Sequence, residues 1–240
     1  MQWDCNQRQV MSHIKAIYFD LDNTLVHRNA SIDRFSEGFV QRYVSLLSHV
    51  SCEQVANLIK TIDNGGYLGD KRRYRKISQA IGAELSTKLC WQQPIAADQL
   101  ERDWKTHFPQ STVEMPSATK VLNELAKKGY YLAIISNGGQ QSRINTLAAT
   151  SFSPLIHHLV SSEQFGAKKP DPAIFLETIS QAGFRPNECV YVGHHPVNDM
   201  QGAYNAGMHA VWLAGFHERA GLPTPAYVIQ SLPELLGLVI

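Results

Sequence analysis

The sequence predicts an α/β protein in which a parallel sheet carries helices on both faces and an all-helical domain interrupts the chain after the first strand. Three observations lead there. A short apolar run, IKAIYF at 14–19, ends abruptly at the polar DLDNT, as a strand buried on both faces does. From 29 to 109 strand-like runs vanish and apolar residues recur every three or four positions, the spacing of amphipathic helices. After Pro116 apolar runs and helical stretches alternate to the end of the chain, which implies right-handed strand–helix–strand crossovers. The expected organisation is a Rossmann-like core from 1–28 and 110–240, with a helical insert at 29–109.

Each element has its own signal. In the insert, Phe35, Phe39, Val40, Tyr43, Leu46 and Leu47 mark one helix face. DNGGYLGD at 63–70 breaks that pattern, because glycine permits turns that other residues resist. A helix is expected from Lys71 to about Ile81, with Tyr74, Ile77 and Ile81 inward and Lys71, Arg72, Arg75 and Lys76 on a solvated face. Another helix precedes Phe108-Pro109. In the core, helices are expected at about 117–128, 140–149, 173–182 and 197–206, and Gly129, Gly183 and Gly207 stop three of them. Strands are expected at YYLAII before Ser136, at 155–160, at CVYV before Gly193 and at HAVWL, and LPELLGLVI closes the chain.

A chain of 240 residues holds one sizeable core domain and a smaller insert. Its 44% hydrophobic and 18% charged residues are ordinary for a globular protein and argue against disorder. With 22 basic and 21 acidic residues, the net charge of +1 offers no electrostatic reason to expect nucleic acid or an anionic membrane as partner. No apolar stretch approaches the roughly 18 residues of a membrane span. The opening MQWDCNQRQVMSHI has no apolar core of a secretory signal. Cys5, Cys52, Cys90 and Cys189 are scattered without metal-ligand spacing, which reads as reduced thiols of a cytoplasmic protein.

Ligands of open parallel sheets bind beyond the carboxyl ends of the strands. Four polar junctions stand there: Asp20-Leu21-Asp22-Asn23-Thr24, Ser136-Asn137-Gly138, Lys168-Lys169-Pro170-Asp171-Pro172, and Gly193-His194-His195-Pro196-Val197-Asn198-Asp199. Each has an ordinary reading by itself. An aspartate after a strand is commonly a turn former or helix N-cap, Ser136 a turn hydroxyl, Lys169 an exposed lysine, and Asp199 a first-turn acid. Their joint placement at four strand ends is what points to chemistry.

In order and spacing these segments resemble the four signature motifs of the haloacid dehalogenase-like (HAD) superfamily, and the insert resembles that superfamily's helical cap. The resemblance implies that Asp20 is a covalent nucleophile and Asp22 the acid and base for the leaving group and the water. It implies that Ser136 and the backbone N–H of Asn137 bind phosphate oxygens. It implies further that Lys169, directly against Pro170, is the balancing cation, rather than Lys168. It also implies Mg²⁺ on Asp20, Asp199 and the backbone carbonyl of Asp22. Elementary chemistry agrees: a carboxylate can attack phosphorus, a neighbouring carboxyl can move the proton, and positive charge must surround the transferring group. Retention of Asp22 favours phosphate chemistry over carbon–halogen cleavage. The expected protein is an Mg²⁺-dependent phosphatase that hydrolyses a small phosphorylated metabolite through an aspartyl-phosphate. Relatives act on sugar phosphates, nucleoside monophosphates, flavin mononucleotide and phosphoglycolate, and the motifs do not choose among them.

One position departs from the pattern. Most of the family carries an acid directly after the fourth-motif glycine, where this chain has His194. Three readings stand side by side. Asp199 coordinates the ion directly with water filling the gap; His194 recruits a softer ion such as Mn²⁺ or Co²⁺; or the site is impaired and the protein is a phosphometabolite-binding regulator. His195 is read as a histidine at a helix start or on the surface. In relatives the cap closes over the site and excludes water. Tyr67 and Leu68 in the glycine-rich turn are the probes for such a contact, and a plain helix–helix loop is the other reading of that turn.

Overall fold

Strand β1, Ala16–Phe19, lies near the middle of a six-stranded parallel sheet. Its partners are β2 (Tyr131–Ser136), β3 (His158–Ser161), β4 (Cys189–Gly193), β5 (His209–Leu213) and β6 (Tyr227–Ile229), in the order β3-β2-β1-β4-β5-β6. The chain winds outward through β2 and β3, then returns to place β4 on the other side of β1. This reversal puts the topological switch point between β1 and β4, and such sheets bind ligands at the carboxyl ends of the strands there. The computed structural model describes residues 13–69, 73–218 and 227–239; Cys5, Asp70, Lys71 and Arg72 lie outside them.

The chain divides into two units, 1–26 with 114–240, and 27–113. The helical unit contains α1 (Arg28–Arg42), α2 (Cys52–Asp63), α3 (Ile77–Lys88) and α4 (Ala97–His107). The sheet unit contains α5 (Ala118–Lys127), α6 (Gln140–Ala148) and α7 (Pro172–Gln181). On one sheet face Ile17, Phe19, Leu132, Ile134, Val190 and Val192 pack with Val121, Leu122 and Leu125 of α5. On the other, Tyr18, Ala133, Ile135 and Tyr191 pack with Ile174, Phe175 and Ile179 of α7. Alternate side chains point to opposite faces, and here both faces are covered. The strands therefore read as continuous apolar runs.

In the helical unit Phe35, Phe39, Ile59, Ile81, Leu85, Leu100 and Trp104 form a separate core. Helix α2 starts with a reciprocal capping box: Gln54 N–H donates to Ser51 Oγ at 3.1 Å and Ser51 N–H to Gln54 Oε1 at 2.8 Å. At Gly82 the α3 and α4 backbones approach so closely that a Cβ would lie 2.4 Å from the Ala97 carbonyl oxygen. Among the described residues no helix is long and apolar enough to cross a membrane.

Several sequence expectations are corrected. The helix expected from Lys71 begins at Ile77. The basic run would have placed its charges at the positive end of the helix dipole, and instead Arg73 and Tyr74 reach Glu84 Oε1 at 3.0 and 2.7 Å. The first helix ends at Arg42 rather than continuing through Leu47, whose backbone bridges to Trp91. The strand expected at 155–160 starts at His158, after a 3₁₀ turn at Ser153–Leu155. Pro154 lacks the N–H a ladder requires. Strand β6 and the helical form of Cys52–Asp63 had no separate sequence signal.

Candidate active site

The first functional loop leaves β1 through a turn anchored by two buried leucines, Leu21 and Leu25. Leu25 and Val26 N–H both donate to the Leu21 carbonyl, at 2.9 and 3.0 Å. Asn23 takes a left-handed φ of 54°, which Asn tolerates better than most residues. The turn brings Thr24 Oγ1 within 3.4 Å of Asp20 Oδ2, and Asp20 itself is buried.

The loop after β4 folds back on its own glycine. Pro196–Gln201 forms a π-helical turn, a wide turn common at functional positions, in place of the regular helix expected from Val197. It returns Asp199 so that Oδ2 accepts the backbone N–H groups of His194 at 3.0 Å and His195 at 2.9 Å. A Cβ on Gly193 would lie 2.5 Å from the Asp199 Cβ and Cγ; only glycine leaves room for this carboxylate. His195 caps the same turn, its Nδ1 accepting Val197 and Asn198 N–H at 3.1 and 3.0 Å.

Lys169 closes the cluster. Its ammonium donates to Asp20 Oδ1 at 2.8 Å, Asp199 Oδ1 at 2.7 Å and the Tyr191 hydroxyl at 2.7 Å, with 2% of the residue exposed. Tyr191 in turn donates to the Ile135 carbonyl at 2.8 Å. The Asn137 side chain fixes the lysine's backbone from both sides, accepting Lys169 N–H at 2.9 Å and donating to its carbonyl at 3.1 Å. Ser136 is buried at the end of β2, directly after Ile135.

His194 lies inside this cluster. Its Nδ1 is 3.1 Å from Asp20 Oδ2, 3.6 Å from Asp199 Oδ2 and 3.3 Å from Thr24 Oγ1. Trp212 Nε1 donates to its carbonyl at 2.8 Å, and its ring stacks on His217 with centroids 5.4 Å apart. Nε2 is buried without a partner among the described residues. Asp22 is placed differently. Its carboxylate is ion-paired with the Arg143 guanidinium of α6, itself buried under the Ser136-Asn137-Gly138 loop.

These contacts set the charge states. Burial alone would push the Asp20 carboxyl up, but the Lys169 charge and the His194 hydrogen bond and charge outweigh it and hold it well below the usual carboxylate range. Burial opposes charge on Lys169 as well, and Asp199 and Asp20 reverse that, raising its pKa. His194 is raised in the same way: burial lowers it, and the bond to Asp20 with the charges of Asp20 and Asp199 more than restores it. Burial, then the neighbouring His194 and His195, push His217 down to about 4.

Of the residues expected from the sequence, Asp20, Lys169 and Asp199 meet directly, Asn137 positions the lysine, and Asp22 pairs with Arg143. Thr24, Tyr191, Arg143 and His194 were not assigned catalytic or phosphate-binding roles from sequence. Tyr191 reads as core in an apolar strand, and nothing local marks Arg143.

The implied Mg²⁺ set was Asp20, Asp22 and Asp199. Among the described residues, Asp20, His194 and Asp199 form the group whose donor atoms lie within 4.8 Å of one another. Mg²⁺ demands oxygen ligands in near-ideal octahedral geometry, and here an imidazole nitrogen stands against Asp20 Oδ2. Both Asp199 oxygens already accept protein donors, two backbone N–H groups on Oδ2 and Lys169 on Oδ1. Softer ions accept imidazole but would meet the same engaged oxygens. This mixed oxygen–nitrogen set does not match the all-oxygen octahedron of Mg²⁺.

Comparison with known proteins agrees with this architecture. The family model described as haloacid dehalogenase-like hydrolase matches residues 17–213. A glyceraldehyde 3-phosphate phosphatase of Pyrococcus furiosus is 29% identical over 95% of this chain and 94% of its own length. An N-acylneuraminate-9-phosphatase of Mus musculus is 26% identical, covering 95% of each chain. Among solved structures, the HAD-hydrolase YfnB of Bacillus subtilis bound to magnesium superposes with a TM-score of 0.72 at 19% identity, over 94% of this chain and 98% of that one.

Proposed function

This chain belongs to the haloacid dehalogenase-like hydrolases, and we propose that it is a phosphatase of small phosphate monoesters working through an aspartyl-phosphate on Asp20. One observation carries the reading: Asp20 is buried at a strand end yet held ionised by Lys169 and His194. A buried carboxylate kept charged is a nucleophile stripped of most of its water. Full-length relatives whose names specify phosphatases support the reaction class.

In this reading an Asp20 oxygen attacks phosphorus in line and the bond from phosphorus to the substrate oxygen breaks. Lys169, Ser136 Oγ and the Asn137 N–H stabilise the phosphoryl oxygens. Asp22 gives the leaving oxygen its proton and later takes one from the water that cleaves the acyl-phosphate. That step requires the Asp22–Arg143 pair to loosen, because a protonated carboxyl no longer holds the guanidinium by charge.

Phosphate release from a panel that includes p-nitrophenyl phosphate, glyceraldehyde 3-phosphate and N-acylneuraminate 9-phosphate tests the proposal. Turnover should vanish in Asp20→Asn, and hydroxylamine should trap a phosphorylated aspartate in the wild type only. Saturable stabilisation by a phosphometabolite without turnover of any panel member would favour the regulatory reading that His194 motivates.

A further inference from the structure

We propose that the site needs no divalent metal ion, because the His194 imidazole stands against Asp20 Oδ2 and protein donors engage both oxygens of Asp199. The inference rests on the phosphatase reading for what the site does, but its central measurement is metal binding, which that reading does not control.

The oxygens of the cluster are engaged by protein groups. Lys169 bridges Asp20 Oδ1 and Asp199 Oδ1 at 2.8 and 2.7 Å, the His194 and His195 backbone N–H groups donate to Asp199 Oδ2 at 3.0 and 2.9 Å, and Arg143 is paired with Asp22. A divalent ion would have to displace these partners or share their oxygens.

His194 is aimed at Asp20 Oδ2, the carboxylate oxygen not bonded to Lys169. The backbone on both sides of its ring is tied down, N–H to Asp199 Oδ2 at 3.0 Å and C=O to Trp212 Nε1 at 2.8 Å. The ring is packed edge-on to Phe216, 5.7 Å between centroids, and stacked on His217 at 5.4 Å. For an ion to bind Asp20 through Oδ2, this fixed imidazole would have to give up its contact with that oxygen. Arg143 has the complementary effect on the second loop, occupying the Asp22 carboxylate from below.

The test uses the full chain stripped of metal with chelator. Titration calorimetry with Mg²⁺, Mn²⁺ and Co²⁺ should show no saturable one-to-one binding, and the melting temperature should not move with any of the three. His194→Asp should gain saturable Mn²⁺ or Mg²⁺ binding, because it replaces the imidazole against Asp20 with an oxygen ligand. Hydrolysis of p-nitrophenyl phosphate by the wild type should be the same in chelator as in Mg²⁺. One-to-one binding of any of these ions to the wild-type chain, lost in His194→Ala, would overturn the proposal, as would activity abolished by chelator and restored by metal. If no substrate is turned over at all, the phosphatase reading falls, and the calorimetry still decides the metal question. If His194→Asp does not fold, the wild-type titration decides it alone.

Discussion

Replacement of Asp199 by asparagine isolates the network around Lys169. The aspartate accepts three donors, two backbone N–H groups on Oδ2 and, on Oδ1, Lys169 at 2.7 Å. An asparagine has one acceptor oxygen and a donor NH₂. With its oxygen on the two N–H groups, its NH₂ meets the Lys169 ammonium, donor against donor. Turned the other way, it presents NH₂ to His194 and His195. Either orientation leaves buried donors unsatisfied, at about 1–3 kcal/mol each. Lys169 also loses one of its two carboxylates; a fully broken buried pair costs about 3–5 kcal/mol, and the surviving Asp20 contact keeps the loss toward the lower end. The expected destabilisation is therefore about 3–4 kcal/mol, and at ~2–4 °C per kcal/mol for a chain of this size the melting temperature should fall by roughly 6–16 °C. Calorimetric melting and urea titration of the purified variant at neutral pH measure it. A loss under about 1 kcal/mol, the worth of one ordinary hydrogen bond, would refute the argument that Asp199 ties the β4 loop to Lys169.

The other predictions concern single contacts. His194 has a folded pKa above its unfolded value, so its contribution is complete below about pH 6.5 and is lost as pH rises through the folded value. The stability difference between wild type and His194→Gln, followed by urea unfolding across that range, should shrink with rising pH, and a flat difference would contradict the ion pair with Asp20. Asp20 behaves oppositely: its depressed pKa gives stability above about pH 3.9 that acid removes, so Asp20→Asn should flatten the acid limb of the same titration. Gly193→Ala forces a Cβ to within 2.5 Å of Asp199; overpacking of this kind costs about 1–3 kcal/mol, and phosphate release should fall with it. Ser51→Ala removes the α2 cap and should cost about 1 kcal/mol in the same urea titration.

How far the sequence could be read follows from the range of the interactions involved. The buried strands announced themselves because covering both faces of a sheet demands consecutive apolar residues, as in Ile17, Tyr18 and Phe19, which pack into opposite cores. Asp20, Ser136 and the Gly193 loop were legible because strand ends are where an apolar run meets polar residues. The start of α3 was misplaced because an apolar stripe through Tyr74, Ile77 and Ile81 is compatible with a helix whether or not its first turn forms, and Tyr74 joins the core from outside it. His195 was readable as a helix-start residue, since capping is local and its partners lie two and three positions away.

By itself, then, the order of residues determined the architecture, the family and the strand ends that carry polar groups, all consequences of short-range periodicity and chain direction. Tertiary structure alone decided which charges meet. Asp22 and Arg143 are 121 positions apart and His194 and Thr24 are 170 apart, so nothing in either neighbourhood specifies the partner. Their encounters depend on strand register, on the π-helical turn that returns Asp199, and on the direction each side chain takes from its loop. Those three geometric facts set the imidazole of residue 194 against the Asp20 carboxylate, where the family pattern has an acid.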